Sequence, residues 1–226
     1  MISIIIPAHQ EEEQIGQTLN SLTNQSYNDF EVIVVANGCS DKTVDVARKY
    51  KSKLQLSIIE TGRKGIGYSC NLGADNANGQ IILILEADTI LSRNGLQKIV
   101  MAIERGYVGG TLLMKTKEKR LVYSFLTNLQ RLTNGGNWGP VRFCTYDAYK
   151  KINGHNEEMD INVDGDFKKR VKSIGKTIFI DRAFYETSMR RFEKLGSMEI
   201  LRQSAWYISF NLFGKNVFEK EYPVIR

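Results

Sequence analysis

The sequence predicts an α/β fold in which parallel strands form a central sheet and helices cover both of its faces. Short apolar runs rich in isoleucine and valine alternate with amphipathic helical segments through the first half of the chain. Runs of that composition are typical of strands buried on both faces, as in parallel sheets flanked by helices. With 226 residues, the chain is also long enough to bury a substantial core.

The first half of the chain predicts five strands separated by four helices. The continuous apolar runs place strands at residues 2–6, 31–35, 54–59, 81–85 and 107–114. Helical spacing places helices that begin near residues 15, 41, 67 and 94, with Ser40 or Asp41 as the cap of the second. This alternation requires parallel strands joined by right-handed crossovers.

The second half is less regular. Its spacing predicts helices at residues 121–132, 164–174 and 193–213, a polar glycine-rich loop at 134–140, a short strand after that loop, and a strand at 177–180. In the helix at 164–174 we expect Phe167, Val171 and Ile174 to face inward and Gly175 to end the helix. No linker or internal repeat is visible, so we predict one domain over residues 1–226.

Composition favours an anionic ligand and an intracellular setting. The net charge is +6, which suits nucleotide diphosphates, phospholipid or nucleic acid. The basic residues are spread widely without a nucleic-acid-binding signature, so we expect no nucleic-acid partner. Cys39, Cys70 and Cys144 form no CxxC pair and are expected to be packing residues of a reduced protein. Without a signal peptide or a run of about 20 apolar residues, the protein is expected to be cytoplasmic.

Polar residues follow the predicted strands at their carboxyl ends, where ligands bind in parallel sheets. His9 and Asn37 follow the first two strands, and Glu86 and Asp88 follow the strand at 81–85. Carboxylates two residues apart project from the same side of an extended chain, so both can reach one Mg²⁺ or Mn²⁺ ion. The alternative is a pair of loop acids, with Asp88 capping the next helix.

Three further groups of charged residues have both a functional and a structural interpretation. Arg63 and Lys64, next to Gly65, either meet a phosphate or are solvated surface bases. The glycine spacing there does not fit a dinucleotide-binding fingerprint. Asp164, with Asp166 beside it, is either a general base or the cap of a helix. Residues 190–191, a pair of arginines, either contact phosphate oxygens or form a solvated face. His9 and His155 have no partner at metal-ligand spacing, which argues against zinc.

Together these segments resemble family-2 glycosyltransferases. Residues 5–12 (IIPAHQEE) are similar to the family's opening "IIPAYNEE", and residues 34–41 (VVANGCSD) stand where members have "VDDGSTD". Residues 64–67, 71–73, 79 and 86–89 follow the family's "KG…N.G…G…DADT" spacing. Residues 154–157 (GHNE) resemble "GGFNE", and residues 163–175 resemble "EDTDL..R…G".

The resemblance implies a GT-A fold, a three-layer α/β/α sandwich with a mostly parallel, Rossmann-like sheet. It implies an inverting hexosyltransferase that uses a UDP- or GDP-linked sugar with Mn²⁺ or Mg²⁺. Residues 1–115 would bind the nucleotide sugar, and residues 116–226, including a C-terminal helix, would bind the acceptor. Glu86 and Asp88 would hold the metal, Asp164 would be the general base, and Asp166 would lie on the acceptor side. The residues expected to line the donor site are Pro7, Ala8, His9, Glu11, Asn37, Lys64, Gly65, Ala87, Arg190 and Arg191.

The sequence departs from the family pattern at four places. Ala36-Asn37 replaces two acids, which removes the usual carboxylate contact to the nucleotide base. Glu86 replaces an aspartate, and His9-Gln10 replaces Tyr-Asn. Val163 replaces the acid before the expected base, which removes a like charge that would raise the pKa of Asp164.

The acceptor stays open, and so do two alternative functions. Trp138 either stacks on an acceptor sugar or is a core residue. The helix at 193–213 either packs or mediates a homodimer, or it lies on the inner face of a membrane and presents a lipid-phosphate acceptor. Besides that membrane-associated enzyme, the chain could be a catalytically weak sugar-nucleotide-binding partner. A sugar-phosphate nucleotidyltransferase is disfavoured, since its N-terminal glycine-rich signature is missing.

Overall fold

The computed structural model describes residues 1–116, 130, 138–159 and 162–188, which contain eight strands and six helices. The strands are β1 (Ile2–Ala8), β2 (Phe30–Asn37), β3 (Leu56–Thr61), β4 (Ile81–Leu85), β5 (Thr89–Leu91), β6 (Gly109–Thr116), β7 (Val141–Thr145) and β8 (Thr177–Thr187). The helices are α1 (Ile15–Thr23), α2 (Thr43–Arg48), α3 (Ile66–Asp75), α4 (Gly95–Glu104), α5 (Tyr146–Lys151) and α6 (Val163–Ile174). All of them belong to one compact unit, Met1–Thr187.

The sheet has a parallel half and a mixed half. Its order is β3-β2-β1-β4-β7-β6-β8-β5, and the first four strands in that order are all parallel. This half confirms the predicted strand–helix alternation. The fifth predicted strand, now β6, is separated from β4 by β7, which is antiparallel to both. Local apolar patterns predict that a strand exists, but they carry no information about this long-range pairing.

Two apolar clusters cover the two faces of the sheet. Every residue of β1 is buried, and alternate side chains point to opposite faces. Ile4 and Ile6 join the cluster that contains Ile15 and Leu19 of α1. Ile5 joins the other cluster, which contains Cys70 of α3 and Phe167 of α6. Helices therefore lie on both sides of a mostly parallel sheet, and the predicted three-layer α/β arrangement is confirmed.

The structure corrects two local predictions. Lys42, and not Ser40 or Asp41, is the N-cap residue of α2, although Asp41 just before it accepts hydrogen bonds from the backbone and hydroxyl of Thr43 at 3.1 and 2.6 Å. Phe167 and Val171 are buried in α6 as expected, whereas Ile174 is 37% exposed. Ile174 is the last residue of the helix, beyond the part of α6 that packs on the sheet.

Two further predictions concern the cysteines and membrane-spanning helices in the part of the chain that the structure describes. Cys70 and Cys144 are buried and Cys39 is partly buried, and all three are free thiols, as predicted. Within the described ranges, no helix has the length and apolar character that a membrane crossing requires. The predicted helices at residues 121–132 and 193–213 lie outside these ranges, as does most of the glycine-rich loop at 134–140.

Candidate active site

The carboxyl ends of the parallel strands bring three predicted site residues to one edge of the sheet. Ala8 of β1 lies opposite Ala36 of β2, so the residues that follow them, His9 and Asn37, are neighbours. The His9 Nδ1 atom lies 2.6 Å from the backbone oxygen of Asn37. Glu86 follows β4, which pairs with the other side of β1. This edge is therefore where the structure gathers the polar groups.

Asn37 connects this edge to the glycine turn before α3. Its Nδ2 atom donates to the Ser69 hydroxyl at 2.9 Å, and that hydroxyl donates to the backbone oxygen of Gly65 at 2.8 Å. Gly65 has φ +130° and Gly38 has φ +63°, backbone conformations that side chains disfavour. A Cβ atom on Gly38 would lie 3.2 Å from Lys64 Cε, so glycine there lets Lys64 cross over the strand end. Asn37, Lys64 and Gly65 are thus brought together.

The loops after β1 and β2 are cross-linked by hydrogen bonds. Gln10, at φ +56°, accepts from the backbone nitrogens of Ser40 and Asp41 at 2.9 and 3.1 Å. The backbone nitrogen of Glu11 donates to the Thr43 hydroxyl at 2.8 Å. Gln10 is one of the departures from the family pattern, and its longer side chain spans the two loops. The loop that carries Glu11 is therefore held in place next to Asn37.

Three apolar residues predicted to line the donor site are buried, and so is Asn37, which is 6% exposed. Pro7 is buried in β1, and Ala8 and Ala87 are only 1% and 3% exposed. The backbone oxygen of Ala87 accepts a hydrogen bond from the Thr18 hydroxyl at 2.7 Å. The side chains of Pro7, Ala8 and Ala87 therefore pack inside the protein, and the residues next to them would have to make the polar contacts to a ligand.

Glu86 and Asp88 flank the buried Ala87, and both are partly exposed. Residues 86–88 belong to a turn and not to an extended strand, so the alternation of side chains along a strand does not apply to them, and a shared metal ion stays a prediction. The backbone nitrogen of Thr89 donates to the Glu86 oxygen at 3.1 Å, which closes a turn after β4. Helix α4 begins only at Gly95, after β5. Asp88 therefore does not cap that helix, whose N-cap is Asn94, and this part of the structural alternative is wrong.

Glu86 lies above a buried arginine. Arg142 Nη1 is 3.6 Å from Glu86 Oε1, and the Arg142 side chain is 1% exposed while that of Glu86 is 35% exposed. Burial raises the pKa of Glu86 to about 7, and the negative charges of Asp88 and Asp164 also raise it, while Arg142 opposes the shift. The charges of Asp88 and Asp164 therefore both act on Glu86.

Asp164 reaches the site from the first turn of α6. Its Oδ2 atom accepts a hydrogen bond from the backbone nitrogen of Gly139 at 3.1 Å. The next residue, Pro140, accepts a hydrogen bond at 3.1 Å from the backbone nitrogen of Glu86. Asn162 stands at the N-cap of α6, so Asp164 is not the capping residue. The turn at residues 139–140 contacts both the expected base and an expected metal ligand.

The two residues predicted on the acceptor side have structural partners. Trp138 is 2% exposed and packs edge-on against Phe167, with ring centroids 6.1 Å apart. The ring lies in the core, so stacking of Trp138 on an acceptor sugar is wrong and the core alternative holds. Asp166 accepts from Arg170 at 2.6 and 2.8 Å, and Arg170 in turn donates to the backbone oxygens of Ile152 and Gly154. A contact between Asp166 and an acceptor stays a prediction.

The two pairs of basic residues differ in what the structure describes. Arg63 donates to Glu157 at 2.6 Å and its guanidinium lies 4.1 Å from the ring centre of Tyr68. Arg63 therefore has protein partners, and the lysine beside it, Lys64, is the better phosphate candidate. Residues 190–191 lie outside the described residues, so the role of Arg190 and Arg191 stays a prediction.

A buried polar network beneath Glu86 was missed by sequence reasoning. His155 is 2% exposed, stacks on Phe167 at 4.2 Å, and accepts a hydrogen bond from Arg142 at 3.0 Å. The other ring nitrogen of His155 lies 3.0 Å from the Tyr149 hydroxyl, which donates to Asn71 at 2.8 Å. One signal was available, because an arginine inside a five-residue strand that has no other charged residue needs a partner when the strand is buried.

The oxygen atoms of Glu86 and Asp88 fit a hard divalent cation. Carboxylate oxygens are the ligands that Mg²⁺ and Mn²⁺ prefer. Burial is the main cause of the raised pKa of Glu86, and the charges of Asp88 and Asp164, which add to it, are charges that a cation would offset. Among the described residues, no group of three or more His, Cys, Asp or Glu side chains is arranged to hold a metal ion. A cation here would therefore need oxygen atoms from a second molecule, as a diphosphate supplies.

The sequence matches a known family and part of longer relatives. The profile of glycosyl transferase family 2 matches residues 3–157. The poly(ribitol-phosphate) beta-N-acetylglucosaminyltransferase TarS of Staphylococcus aureus is 31% identical over 119 residues, which are 51% of this chain and 21% of TarS. The probable glycosyltransferase YdaM of Bacillus subtilis is 28% identical over 159 residues, 64% of this chain and 38% of YdaM. The chain thus spans less than half the length of these relatives.

Solved structures share the fold. The first 349 residues of S. aureus TarS in complex with UDP-GlcNAc superpose with a TM-score of 0.71 at 21% identity, covering 83% of this chain and 58% of that one. The mannosyltransferase PcManGT of Pyrobaculum calidifontis in complex with GDP-Man and Mn²⁺ gives a TM-score of 0.68 at 19% identity, covering 82% and 56%. The predicted GT-A fold is thereby confirmed. Since the family profile covers more than half of the chain, the chain belongs to glycosyl transferase family 2.

Proposed function

We propose that this chain is an inverting glycosyltransferase, which moves a sugar from a nucleotide-diphosphate donor to a hydroxyl or phosphate acceptor. The observation that carries this proposal is that the turn at residues 139–140 bonds both Asp164 and the backbone of Glu86 at the edge where β1 and β2 end. Such an edge is where ligands bind in open parallel sheets. In this proposal Glu86 and Asp88 serve the donor diphosphate, which leaves, and Asp164 serves the acceptor, which attacks.

The nucleotide sugar would bind along the ends of β1 and β2. Here His9, Glu11 and Asn37 supply polar groups, and Lys64 supplies a positive charge beside the Gly65 turn. Related folds support a UDP- or GDP-linked donor, since they have been solved with UDP-GlcNAc, UDP and GDP-Man. Asn37 replaces an acid of the family pattern, so it would contact the nucleotide base through a neutral amide.

Glu86 and Asp88 would hold Mn²⁺ or Mg²⁺. The bound ion would neutralise charge on the diphosphate as it leaves. A mannosyltransferase of the same fold was solved with Mn²⁺, which supports this assignment. Two carboxylates alone would leave most of the ligands of such an ion to phosphate oxygens and water.

Asp164 would act as the general base. As the acceptor oxygen forms a bond to the anomeric carbon, Asp164 takes its proton, and the bond to the donor diphosphate breaks on the opposite side of the sugar. One such displacement inverts the anomeric configuration. The hydrogen bond from Gly139 fixes one oxygen of this carboxylate and so orients the side chain.

A donor screen tests the proposal. The wild-type chain is incubated with UDP- and GDP-linked sugars and Mn²⁺ or Mg²⁺, and the release of nucleotide diphosphate is measured with candidate acceptors. We expect metal-dependent release with at least one donor, and its loss when Glu86 is replaced by Gln. Product anomers read by NMR check inversion. Donor binding without any transfer would instead identify the sugar-nucleotide-binding alternative.

A further inference from the structure

A single arginine lies inside the sheet beneath the proposed metal ligands. Arg142 is the second residue of β7 and pairs with Ile84 of β4, two residues before Glu86. Its side chain is 1% exposed, so its charge is removed from water. Burying a charge is unfavourable unless the charge is paired and hydrogen-bonded, so the partners of Arg142 indicate what it does.

Each nitrogen of the Arg142 guanidinium has a partner. Nη1 donates to the backbone oxygen of Gly139 at 2.8 Å and lies 3.6 Å from Glu86 Oε1. Nε donates to His155 Nε2 at 3.0 Å, and Nη2 lies 3.7 Å from the Cys70 sulfur. Because a guanidinium only donates, His155 Nε2 must be the accepting nitrogen and the ring proton lies on Nδ1, towards Tyr149.

Of these partners, Glu86 is the one that carries a carboxylate. Burial, with the nearby charges of Arg142 and Arg170, holds the pKa of His155 well below its usual value, so the ring is neutral. Burial raises the pKa of the Cys70 thiol to about 11, so that group is also uncharged near neutral pH. Among the described residues, Glu86 is the ion-pair partner of Arg142. The guanidinium is thus fixed from below by neutral groups and faces the carboxylate above it.

The same contacts extend to Asp164. The Gly139 peptide accepts from Arg142 through its oxygen and donates to Asp164 Oδ2 through its nitrogen. Pro140, the next residue, accepts from the backbone of Glu86. Gly139 has φ +57°, and a Cβ atom there would lie 3.3 Å from the hydroxyl of the buried Tyr185. One tight turn therefore sets the spacing between the two carboxylates.

We propose that Arg142 is a positioning residue that holds the Glu86 carboxylate at the donor site and, through the Gly139 peptide, fixes its place relative to Asp164. The inference rests on the proposed function for the role of Glu86. It also accounts for the glutamate at this position, where the family pattern has aspartate. An aspartate would withdraw the carboxylate from Arg142 by about one carbon–carbon bond, roughly 1.5 Å.

A double-mutant cycle on metal binding tests the proposal. Wild type, Glu86→Asp, Arg142→Lys and the double variant are titrated with Mn²⁺ in the presence of UDP, and free Mn²⁺ is read by electron paramagnetic resonance. We expect each single variant to weaken Mn²⁺ binding about 10-fold, as loss of an outer partner of a metal ligand does. In the Arg142→Lys background, we expect Glu86→Asp to weaken Mn²⁺ binding by less than about 2-fold more, because the benefit of the longer side chain depends on Arg142.

The control is Arg170→Lys, which alters another arginine that donates to backbone oxygens and pairs with a carboxylate, but away from Glu86. It should leave Mn²⁺–UDP binding unchanged. Additive effects of the two variants, or wild-type affinity in Arg142→Lys, would overturn the positioning role while leaving the proposed function intact. A wild type that binds no Mn²⁺ with UDP or GDP would overturn both.

A second pair of variants covers the case in which Arg142→Lys does not fold, as judged by circular dichroism. His155→Leu removes the acceptor of Arg142 Nε, whereas His155→Gln keeps an oxygen that can accept there. We expect His155→Leu to weaken Mn²⁺–UDP binding by at least about 5-fold and His155→Gln to stay within about 2-fold of wild type. Equal effects of the two substitutions would contradict the proposal.

Discussion

The backbone nitrogen of Gly139 donates to Oδ2 of Asp164 at 3.1 Å, and this contact orients the carboxylate that we propose as the base. Among the described residues it is the hydrogen bond that the structure gives Asp164. One carboxylate oxygen is thus used to fix the side chain, and the other can meet an acceptor hydroxyl.

Replacing Asp164 by Asn should abolish proton acceptance while it keeps the shape of the side chain. We expect kcat to fall by about 10²- to 10⁴-fold, the usual contribution of a positioned base, with donor binding changed by less than about 3-fold. Steady-state kinetics and donor titration measure both. Asp181→Asn, at an exposed position of β8, is the control and should keep wild-type rates. Undiminished turnover in Asp164→Asn would show that another group is the base.

Binding of Mn²⁺ should depend on pH through Glu86. Burial and the charges of Asp88 and Asp164 raise the pKa of Glu86 to about 7, so below this pH the ion must displace a proton. We expect Mn²⁺ affinity without nucleotide to rise steeply from about pH 5.5 to 7 and to level off above about pH 8. Glu86→Gln should bind weakly with a flatter profile. A wild-type profile that is flat over this range would contradict the raised pKa.

The raised pKa of Glu86 also makes the free energy of unfolding depend on pH. Since the folded pKa of Glu86 is raised, the folded chain holds this proton more tightly than the unfolded chain. The contribution of Glu86 to stability is therefore present below its usual pKa of 4.5 and is lost as pH rises to about 7. Glu86→Gln removes this loss, so its urea midpoint relative to wild type should increase over that interval.

Gly38 should resist substitution because of its backbone and its neighbour. Gly38→Ala would place a side chain at φ +63° and a Cβ atom 3.2 Å from Lys64 Cε. We expect a loss of about 1–2 kcal/mol in the free energy of unfolding from the left-handed conformation alone. Urea denaturation measures this loss. Gly62→Ala is a matched control nearby, since a Cβ atom there meets nothing within 4 Å, and it should unfold like wild type.

Glu31 should stabilise the end of the sheet remote from the site. The Glu31 carboxylate is 7% exposed and accepts from Ser3 Oγ and from the backbone and side chain of Asn78 at 2.6, 2.6 and 3.0 Å. In Glu31→Gln, an amide nitrogen replaces one of the oxygens that accept from Ser3 and Asn78. We expect the free energy of unfolding to fall by about 1–3 kcal/mol at pH 7. Urea denaturation checks this, with the exposed Glu158→Gln as a control that should be neutral.

The pH dependence of the Glu31 effect has the opposite sign to that of Glu86. Burial alone would raise the pKa of Glu31, but hydrogen bonds from Ser3 and Asn78 outweigh it and lower the pKa below the usual 4.5. Its stabilisation is therefore present above pH 4.5 and is lost as pH falls through the folded pKa. The difference between wild type and Glu31→Gln should shrink in acid. A difference that is constant from neutral to acid pH would argue against the lowered pKa.

Local patterns in the sequence predicted the parallel half of the sheet and the residues at its edge. A continuous apolar run is typical of a strand buried on both faces, and parallel strands end at the same edge of a sheet. The positions of His9, Asn37 and Glu86 at that edge could therefore be predicted from their spacing. The predicted proximity of Asp164 came from the family resemblance, since no local rule joins residues so far apart in the chain.

The buried network could not be predicted in the same way. The contact of Arg142 with Glu86 depends on β7 pairing with β4, a long-range choice that the pattern of five residues leaves undetermined. His155 is separated from Arg142 by α5, and only the folded chain places its ring between Arg142 and Tyr149. Trp138 was ambiguous for a related reason, because glycines and polar residues around it suggested an exposed loop while its ring lies in the core.

The direction of β7 has a consequence for how such an enzyme can diversify. Parallel strands bring their ends to the active edge, whereas the antiparallel β7 brings its beginning there, so the residues just before it enter the site. Under the proposed function, the loops after β1 and β2 serve the donor and the segment that leads into β7 serves the acceptor side. Changes of sequence in the first turn of α6, around Asp164, can then alter the acceptor side while the donor loops keep their cross-links. Selection for a new acceptor therefore has a route in this fold that leaves nucleotide recognition intact.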